Sequence, residues 1–304
     1  MMKDGLLLLA KETGYTSHDV VQKARRLMKQ KKIGHCGTLD PNATGLLVLT
    51  LGKATRLTRF LIGAPKIYDG TIQLGAATNT YDAAGEITST GDFTGIDRAA
   101  VAAAMSTFEG VIQHVPPAYS AKKVQGRKLY EFARAGEEVE IEAKEVEVYE
   151  FVPTSEVTVG VVSFRLGCAS GTYARTLAHD VGQKLGCGAH LATLRRLRVG
   201  PFELSSALTL AELETRTAGE PPELGAAWIP FDEIPLPFPT LTLDARDEQR
   251  LKNGQTVLSR ELQVAEGDWL KLANRRGEMI AVGSVTERIG ERGVGIVQPR
   301  VVFQ

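Results

Sequence analysis

The sequence predicts an α+β protein made of two units, a large one at residues 1–235 and a small one at residues 236–304. Three observations predict this class. Strand-like and helix-like stretches follow each other without the regular βαβ rhythm of a doubly wound sheet. Prolines cluster at residues 219–239, as in a linker, and short strand-like stretches follow them. The 304 residues are 43% hydrophobic and 24% charged, which suits a chain with a sizeable core.

The helices of the large unit are predicted from apolar spacing and from capping residues. Ser17 suits the N-cap of a first helix, in which apolar residues recur at helical spacing. Gly136 and Gly186 suit the ends of two later helices. Thr209 and Glu212 match a capping box that opens another helix. These patterns place helices at residues 17–28, 54–62, 99–108, 127–135 and 172–185, and one after residue 209.

The strands are predicted from apolar runs and from alternation. The continuous apolar runs at residues 6–10 and 46–51 indicate buried strands, and alternation indicates further strands at residues 66–74, 139–151 and 157–166. Residues 31–45 are rich in Gly, Pro, Asn and Thr and are predicted to be a loop. The small unit is predicted to resemble a small β-barrel, with a helix near 245–252 and strands near 241–243, 269–272, 279–285 and 294–302.

Charge is unevenly distributed along the chain, although 36 Lys and Arg balance 36 Asp and Glu. The net charge is +7 for residues 1–60, +4 for 122–134 and +5 for 165–200, whereas residues 137–150 and 202–240 are acidic. The overall neutrality therefore does not exclude a polyanionic partner. We expect the three basic stretches to converge on one cleft that faces nucleic acid, although solvated faces on a neutral globule would give the same charges.

Several function classes are excluded by what the sequence lacks. No apolar stretch approaches the roughly 18 residues of a membrane helix, and the first residues have no signal-peptide pattern, so we expect a cytoplasmic location and no membrane role. Three cysteines give no disulfide framework. Cys187 and His190 have the spacing of one zinc-ligand pair, but without a second pair no metal is predicted. No phosphate-binding loop, dinucleotide fingerprint or nucleophile elbow occurs, so no cofactor is predicted.

The most distinctive stretch runs from Gly34 to Leu47 and reads Gly-His-Cys-Gly-Thr-Leu-Asp-Pro-Asn-Ala-Thr-Gly-Leu-Leu. On residue types alone, it can be an Asp-Pro turn between a helix and a strand. It also places one carboxylate, that of Asp40, in a loop next to a basic helix, where chemistry is often located. At every specified position the stretch resembles the catalytic motif Gly-His-x-Gly-Thr-Leu-Asp-Pro-x-Ala-x-Gly-Leu-Leu of the TruB-type tRNA pseudouridine synthases.

The resemblance to this family continues in order along most of residues 5–201. Lys66-Ile67-Tyr68 resembles the family's Lys-x-Tyr strand, residues 116–130 its substrate-clasping segment, and residues 171–180 its arginine motif. Residues 189–200, which include Leu194, complete the pattern. Two mild departures occur: Cys36 occupies a variable slot, and residues 81–85, Tyr-Asp-Ala-Ala-Gly, are a loose version of the family's Asp-rich loop.

The resemblance also implies the architecture. The large unit would have the pseudouridine synthase fold, with a mixed, mainly antiparallel central sheet and an RNA-clasping insertion near residues 112–150. The tail at residues 236–304 resembles the PUA module, an RNA-binding β-barrel, more loosely, through Leu251-Lys252-Asn253-Gly254 and its strands.

The family resemblance implies that uridine, expected to be uridine 55 in the T loop of tRNA, is isomerised to pseudouridine without a cofactor. The target base would be flipped into a pocket, and His35 would help to fill the space that it leaves. Asp40 would be the nucleophile, Arg175 would keep its carboxylate ionised, and Tyr68 would stack on the base. The other substrate-binding residues that the resemblance implies are Thr38, Lys66, Leu194, Tyr173, Lys122, Lys123 and Arg127.

Two other functions remain open on the sequence. A guide-RNA-dependent pseudouridine synthase shares the Gly-Thr-Leu-Asp-Pro core and the PUA-like tail, although Ala43 and Leu74-Gly75 favour a stand-alone tRNA enzyme. A non-catalytic RNA-binding or RNA-folding protein would need only the basic stretches and the tail, whereas intact Asp40, Tyr68 and Arg175 favour an enzyme. We expect a monomer that acts on the T arm of tRNA without an obligate protein partner.

Overall fold

The computed structural model describes residues 4–120, 122–124, 126–137, 139–219, 222–259, 264–289 and 294–303. The basic, acidic, clasping and proline-rich stretches of the sequence include eight residues outside these ranges: Met1, Met2, Lys3, Ala121, Gln125, Glu138, Glu220 and Pro221. No helix within the described ranges is both long enough and apolar enough to cross a membrane.

The large unit contains strands and helices that are mixed along the chain. Its strands are β1 (Gly5–Lys11), β2 (Ile33–His35), β3 (Thr44–Leu51), β4 (Lys66–Leu74), β5 (Ala76–Thr78), β6 (Ile87–Thr90), β7 (Gly110–His114), β8 (Lys123–Val124), β9 (Arg127–Lys128), β10 (Lys144–Pro153), β11 (Val161–Cys168), β12 (Ala189–Val199), β13 (Phe202–Glu203) and β14 (Trp228–Pro230). Its α-helices are α1 (Ser17–Leu27), α2 (Thr58–Leu61), α3 (Arg98–Ser106), α4 (Leu129–Ala135), α5 (Ala174–Lys184) and α6 (Leu210–Thr217). Short 3₁₀-helices lie at Gly52–Leu57, Leu204–Ser206, Gly225–Ala227 and Phe231–Glu233.

One large sheet organises this unit. Within the described residues it has ten strands in the order β14-β1-β3-β12-β4-β11-β10-β7, with β2 beside β3 and β13 beside β12. The pairing is antiparallel except between β12 and β3. The predicted α+β class with a mixed, mainly antiparallel sheet is therefore confirmed. The four leucines of β1 are each at most 2% exposed, because protein covers both faces of this strand.

Apolar side chains form two cores in the large unit. One core joins β1 and β3 to α1 and α6, and the other joins β4, β11 and β12 to α3 and α5. The active-site candidates lie where the loop after β2 meets the start of α5, so each core supplies one side of that site.

The tail forms a second sheet that curls into a half-barrel. Its strands are β15 (Thr240–Leu243), β16 (Val257–Ser259), β17 (Trp269–Asn274), β18 (Met279–Ile289) and β19 (Val294–Val302), in the order β15-β17-β18-β19-β16, and its helix is α7 (Ala245–Lys252). The sheet has its own core around Leu251, Leu270 and Leu272. Met279 and Phe303 pack instead against the first core of the large unit.

Several predicted boundaries were wrong, and the largest omission is β12. This strand contains two β-bulges. One lies between Leu191 and Thr193, and the other lies between Arg196 and Arg198. Each bulge adds a residue and shifts the inward-facing set by one position, so the alternation that marks a strand is lost in the sequence. The short strand β2 was likewise hidden in the predicted loop at residues 31–45.

Smaller differences concern the ends of elements. The helix predicted at residues 54–62 is a 3₁₀-helix followed by α2, and the strand predicted at residues 139–151 begins at Lys144. Thr16, not Ser17, is the N-cap of α1, because Thr16 and Asp19 form a capping box. The Ser17 hydroxyl instead accepts the N–H of Leu39 at 2.8 Å and donates to its carbonyl at 3.1 Å.

Candidate active site

The loop that carries Asp40 joins β2 to β3 and is constrained where β3 passes β12. Gly45, at the start of β3, has a φ of +101°, and a Cβ at this position would lie 2.3 Å from the carbonyl oxygen of Arg196. Only glycine suits both this backbone conformation and this approach. The loop therefore leaves the sheet at a defined point beside β12.

Two buried cations hold the carbonyl groups of this loop. Lys11 Nζ donates to the carbonyl oxygens of Pro41 at 3.0 Å and of Ala43 at 2.5 Å. Arg196 Nη2 donates to the carbonyl oxygen of Gly37 at 3.0 Å. Both side chains are 1% exposed, and burial lowers the pKa of Lys11 to about 8. Because the cations donate hydrogen bonds to the backbone on both sides of Asp40, the loop is held in one position.

Arg175, at the start of α5, forms an ion pair with Asp40. Its Nε lies 3.0 Å from Asp40 Oδ2, and its Nη2 donates to Oδ1 at 3.4 Å. Arg175 is 5% exposed, whereas the Asp40 side chain keeps 43% of its surface accessible. The guanidinium thus orients the carboxylate while leaving it open to a ligand.

A second carboxylate shares this guanidinium. Asp82 Oδ2 lies 3.5 Å from Arg175 Nη1, and Asp82 Oδ1 accepts the Thr80 hydroxyl at 2.7 Å and the Ala84 N–H at 3.0 Å. No role was predicted for Asp82 from the sequence. The loose resemblance to the Asp-rich loop could have pointed to this residue, but nothing in the sequence places that loop beside α5.

The environment of Asp40 disfavours its charge. Burial raises the pKa of the Asp40 carboxyl above its ordinary value, Arg175 opposes this shift, and Asp82 adds to it. The accessible part of the side chain faces a cavity, so protein surrounds the carboxylate on its other sides. A carboxylate whose pKa is raised by burial and whose position is held by one cation is typical of a reactive group.

A cavity of about 800 Å³ opens in front of this carboxylate. This volume lies within the range of ligand pockets. Eight residues predicted from the sequence line it: Thr38, Asp40, Lys66, Tyr68, Lys122, Tyr173, Arg175 and Leu194. The lining also includes residues for which no individual role was predicted: Tyr119, Ser120, Tyr130, Arg134 and Arg196.

Tyr68 and Lys66 reach the cavity from the same face of β4. Tyr68 lies between Leu166 of β11 and Arg196 of β12 in the sheet register. Burial raises the pKa of the Tyr68 hydroxyl, so this group is a neutral phenol. Lys66 is 5% exposed, donates to the carbonyl oxygen of Ile62 at 2.7 Å, and has its pKa lowered to about 8 by burial.

Three predicted substrate-binding residues lie outside the lining of this cavity. His35 is half-buried on β2, and burial lowers its pKa. Lys123 is exposed on β8. Arg127 pairs with Glu137 at 2.9 Å and lies over the ring of Phe132, 4.2 Å from its centroid. These residues can therefore contact only parts of a substrate that extend beyond the cavity.

The basic stretch at residues 165–200 is divided between the two faces of the sheet. Arg175 and Arg196 face the cavity. Arg195 is in register with Asp69, which pairs with Arg165 at 3.0 Å. Because successive strand residues point to opposite faces, Arg165 and Arg195 lie on the face away from the cavity. The expectation that the basic stretches converge on one cleft is wrong for these two residues.

The part of the chain that the structure describes contains no group of three or more His, Cys, Asp and Glu side chains arranged to hold a metal ion. The three cysteines are buried free thiols. Burial raises the pKa of Cys36 to about 12, so the thiol next to the Asp40 loop stays protonated.

Comparison with known proteins connects this site to a family. The family model described as TruB family pseudouridylate synthase (N terminal domain) matches residues 25–174, and that described as tRNA pseudouridylate synthase B C-terminal domain matches residues 175–233. The tRNA pseudouridine synthase B of Geobacillus thermodenitrificans is 43% identical over 309 residues, which cover 99% of this chain and 100% of the relative. The chain belongs to the TruB family. It is therefore a pseudouridine synthase, an isomerase.

Other relatives agree with TruB membership. The tRNA pseudouridine synthase B of Solibacter usitatus is 41% identical over 283 residues, covering 93% of this chain and 96% of the relative. A chain in the crystal structure of a Cbf5-Nop10-Gar1 complex matches with a TM-score of 0.77 and 26% identity, covering 99% of this chain and 85% of that chain. The TruB chain thus has the predicted pseudouridine synthase fold.

Proposed function

We propose that this chain converts uridine 55 in the T loop of tRNA to pseudouridine, with Asp40 as the nucleophile and with the target base flipped into the cavity. The relatives named tRNA pseudouridine synthase B support tRNA as the substrate. The observation that carries the proposal is the Asp40–Arg175 ion pair at the floor of a cavity that can hold a nucleotide.

The reaction breaks the bond between C1′ of ribose and N1 of uracil and forms a bond between C1′ and C5. C5 loses a proton and N1 gains one, so nothing is oxidised or reduced. Asp40 suits this isomerisation because a carboxylate can form a covalent adduct and later leave it. Arg175 keeps the carboxylate ionised, while burial and Asp82 prevent that ionised form from becoming too stable to react.

Base flipping costs a few kcal/mol, which contacts inside the cavity must offset. Stacking on Tyr68 contributes about 1–3 kcal/mol. Leu194 and Tyr173 enclose the base from other sides of the same cavity. His35, outside the cavity, helps to fill the space that the flipped nucleotide leaves.

The sugar–phosphate backbone of the substrate is contacted by cations at the mouth of the cavity and beyond it. Lys66 and Lys122 line the cavity, and Thr38 adds a hydroxyl that can donate to a phosphate. Lys123 and Arg127 lie on the strands β8 and β9 of the proposed clasping insertion, near residues 112–150. These residues position the RNA without reading its bases.

Purified protein and a T-arm stem-loop transcript, with no other RNA, test this function. We expect pseudouridine at position 55 with the wild-type protein and none with Asp40→Asn, which should still bind the transcript within about threefold of wild type because one charge among many contacts is lost. Asp69→Asn, the same substitution on the opposite face of the sheet, is the matched control and should remain active. Near-normal product formation by Asp40→Asn would contradict the assignment.

The same experiment distinguishes the two alternatives. A guide-dependent enzyme forms product only after a guide RNA is added. A non-catalytic RNA-binding protein gives no product with any variant.

We further propose that the chain acts as a cytoplasmic monomer without an obligate protein partner, and that it divides at residues 235 and 236 into a catalytic unit and a PUA-like RNA-binding unit. The separate sheet and core of the tail support this division. Light scattering on the purified chain should give a mass near 32.9 kDa, and a mass twice as large would contradict the monomer.

A further inference from the structure

His114 lies at the end of the edge strand β7 and is connected to the helix that carries Arg175. Its Nε2 accepts the backbone N–H of Tyr173 at 2.9 Å, and the imidazole is 2% exposed. The rings of His114 and Tyr173 are nearly parallel, with an interplanar angle of 13° and centroids 6.0 Å apart. The imidazole therefore fixes both the backbone and the ring plane of Tyr173.

Tyr173 is the residue from which α5 starts. It is the N-cap of this helix, and its side chain makes no capping hydrogen bond. Its carbonyl oxygen accepts the first hydrogen bonds of the helix, from the N–H groups of Thr176 at 3.1 Å and Leu177 at 3.3 Å. The backbone position of this one residue, Tyr173, therefore sets the position of the first turn, which includes Arg175.

The segment that follows His114 makes two further contacts with the same turn. The Thr176 hydroxyl donates to the carbonyl oxygen of Val115 at 3.4 Å, and Arg175 Nη2 donates to that of Tyr119 at 3.3 Å. Both of these bonds are long, whereas the bond to His114 has the ordinary length of 2.9 Å and its imidazole is buried. His114 is therefore the strongest connection between this segment and the first turn of α5.

We propose that His114 is a positioning residue for the reaction: by accepting the Tyr173 N–H it holds the first turn of α5, so that the Arg175 guanidinium meets the Asp40 carboxylate. The inference rests on the proposed function, because it assigns His114 to the Asp40–Arg175 pair. It goes beyond that function, because His114 is outside the cavity lining and touches no reacting group.

The acceptor must be a neutral imidazole with its proton on Nδ1, since a protonated ring has no acceptor. Burial lowers the pKa of His114 to about 4, so the ring is neutral at physiological pH. A displacement of about 1 Å at a catalytic group can reduce a rate by about 100-fold. A hydrogen bond that sets the start of α5 can thus affect the reaction without contacting RNA.

Three variants separate hydrogen bonding from packing. His114→Leu keeps the approximate volume and removes the acceptor. His114→Gln places an amide oxygen near the position of Nε2 and should retain the bond. Val162→Ala, in the neighbouring core on β11, is the control for lost stability, because Val162 is fully buried and contacts neither Tyr173 nor Arg175 through a hydrogen bond.

The readouts are kcat and KM on a tRNA transcript, and hydrogen exchange of the Tyr173 amide. We expect His114→Leu to lower kcat about 100-fold with KM changed less than about threefold. Its Tyr173 amide should exchange at least about tenfold faster, since the amide loses its buried partner. His114→Gln should restore both quantities to within about threefold of wild type, and Val162→Ala should change neither.

Two results would overturn the inference. One is a wild-type kcat for His114→Leu together with fast exchange at Tyr173. The other is a Gln variant as impaired as the Leu variant. If His114→Leu does not fold, His114→Asn replaces it, because the shorter amide does not reach the Tyr173 N–H. If the wild-type protein forms no pseudouridine, the proposed function fails. The hydrogen-exchange measurement still tests the His114–Tyr173 bond: the Tyr173 amide should exchange slowly in the wild type and in His114→Gln, and fast in His114→Leu and His114→Asn.

Discussion

At the scale of single residues, one buried guanidinium organises the site. Arg175 contacts two carboxylates, those of Asp40 and Asp82, and donates to the carbonyl oxygens of Thr80 and Tyr119. A buried cation is stable only when it is paired and hydrogen-bonded, so these partners explain why an arginine can be 5% exposed. The same partners determine how strongly Asp40 is held.

The Tyr68 hydroxyl can be separated from the Tyr68 ring by one substitution. Tyr68→Phe retains the stacking surface but removes a buried phenol that faces Arg196 in the sheet register. We expect RNA binding within about threefold of wild type, because the ring still stacks on the base, and a kcat reduced by about 100-fold, because the base loses a hydroxyl that orients it in the cavity. Single-turnover assays measure both. Tyr149→Phe, on the exposed part of β10, is the control, and equal kcat values for the two variants would contradict the prediction.

The acid limb of the pH–rate profile should report the ionisation of Asp40. Because the proposed nucleophile is the Asp40 carboxylate, activity should fall as the pH drops through the raised pKa of Asp40. Asp82→Asn removes a negative charge that raises this pKa, so the limb should move to lower pH, and plateau activity should decrease because Arg175 loses a partner. The profile of kcat/KM measures both effects. Asp92→Asn, in an exposed loop, is the control and should leave the acid limb at the same pH. A shift of the limb to higher pH with Asp82→Asn would contradict the prediction.

At the scale of elements, the site depends on the close parallel approach of β3 and β12. This pair joins the loop of Asp40 to the strand that carries Leu194 and Arg196. The two bulges of β12 turn Arg196 inward and leave Arg195 on the opposite face. The β-bulges of β12 thus determine which of its arginine side chains faces the cavity.

Gly45→Ala tests this approach. The added methyl would meet the Arg196 backbone at 2.3 Å, so we expect the free energy of unfolding to fall by about 3 kcal/mol and activity to be lost with it. Gly95→Ala is the matched control, because Gly95 also has a positive φ, +81°, but has nothing within 4 Å of the added Cβ. Its cost should be about 1 kcal/mol. Chemical denaturation measures both values, and equal losses would show that the approach does not matter.

At the scale of the whole molecule, net charge is a poor guide to the partner. The chain is neutral overall, yet it carries basic stretches of which some members line the cavity and others do not. Lys11 is buried and donates hydrogen bonds to backbone carbonyl groups, and Arg165 pairs with Asp69 on the face of the sheet away from the cavity. The positive charge at the cavity is therefore smaller than the three stretches suggest, and none of it comes from the Lys and Arg residues of 1–60 that the structure describes.

Binding of a T-arm transcript should consequently weaken with salt. We expect at least about a tenfold loss of affinity between 50 and 200 mM salt, since a few phosphate contacts release counterions. Lys122→Ala should reduce the slope of log affinity against log salt by about 1, whereas Lys184→Ala, at the end of α5 and outside the cavity lining, should not. Titrations at several salt concentrations measure the slopes, and a slope near zero for the wild type would rule out an electrostatic interface.

The fold class, the family motif and eight of the residues that line the cavity could be predicted from the sequence alone. Buried runs such as those of β1 and β3, caps such as Gly136, and the loop with Asp40 are local features, because neighbouring residues specify them. Local reasoning failed at β12, where bulges interrupt the period, and at Ser17, where a side chain bonds to a distant loop instead of capping its own helix.

Beyond the expected Asp40–Arg175 pair, only the three-dimensional fold shows which distant groups contact the start of α5. Asp82, Tyr119 and His114 lie far from α5 in the chain, and each sits in an ordinary local context. Their contacts with α5 arise from sheet register and from the packing of loops over the end of the sheet, which depend on the whole fold. The residues that meet at the site could therefore be predicted from motifs, whereas the partners that position them could not.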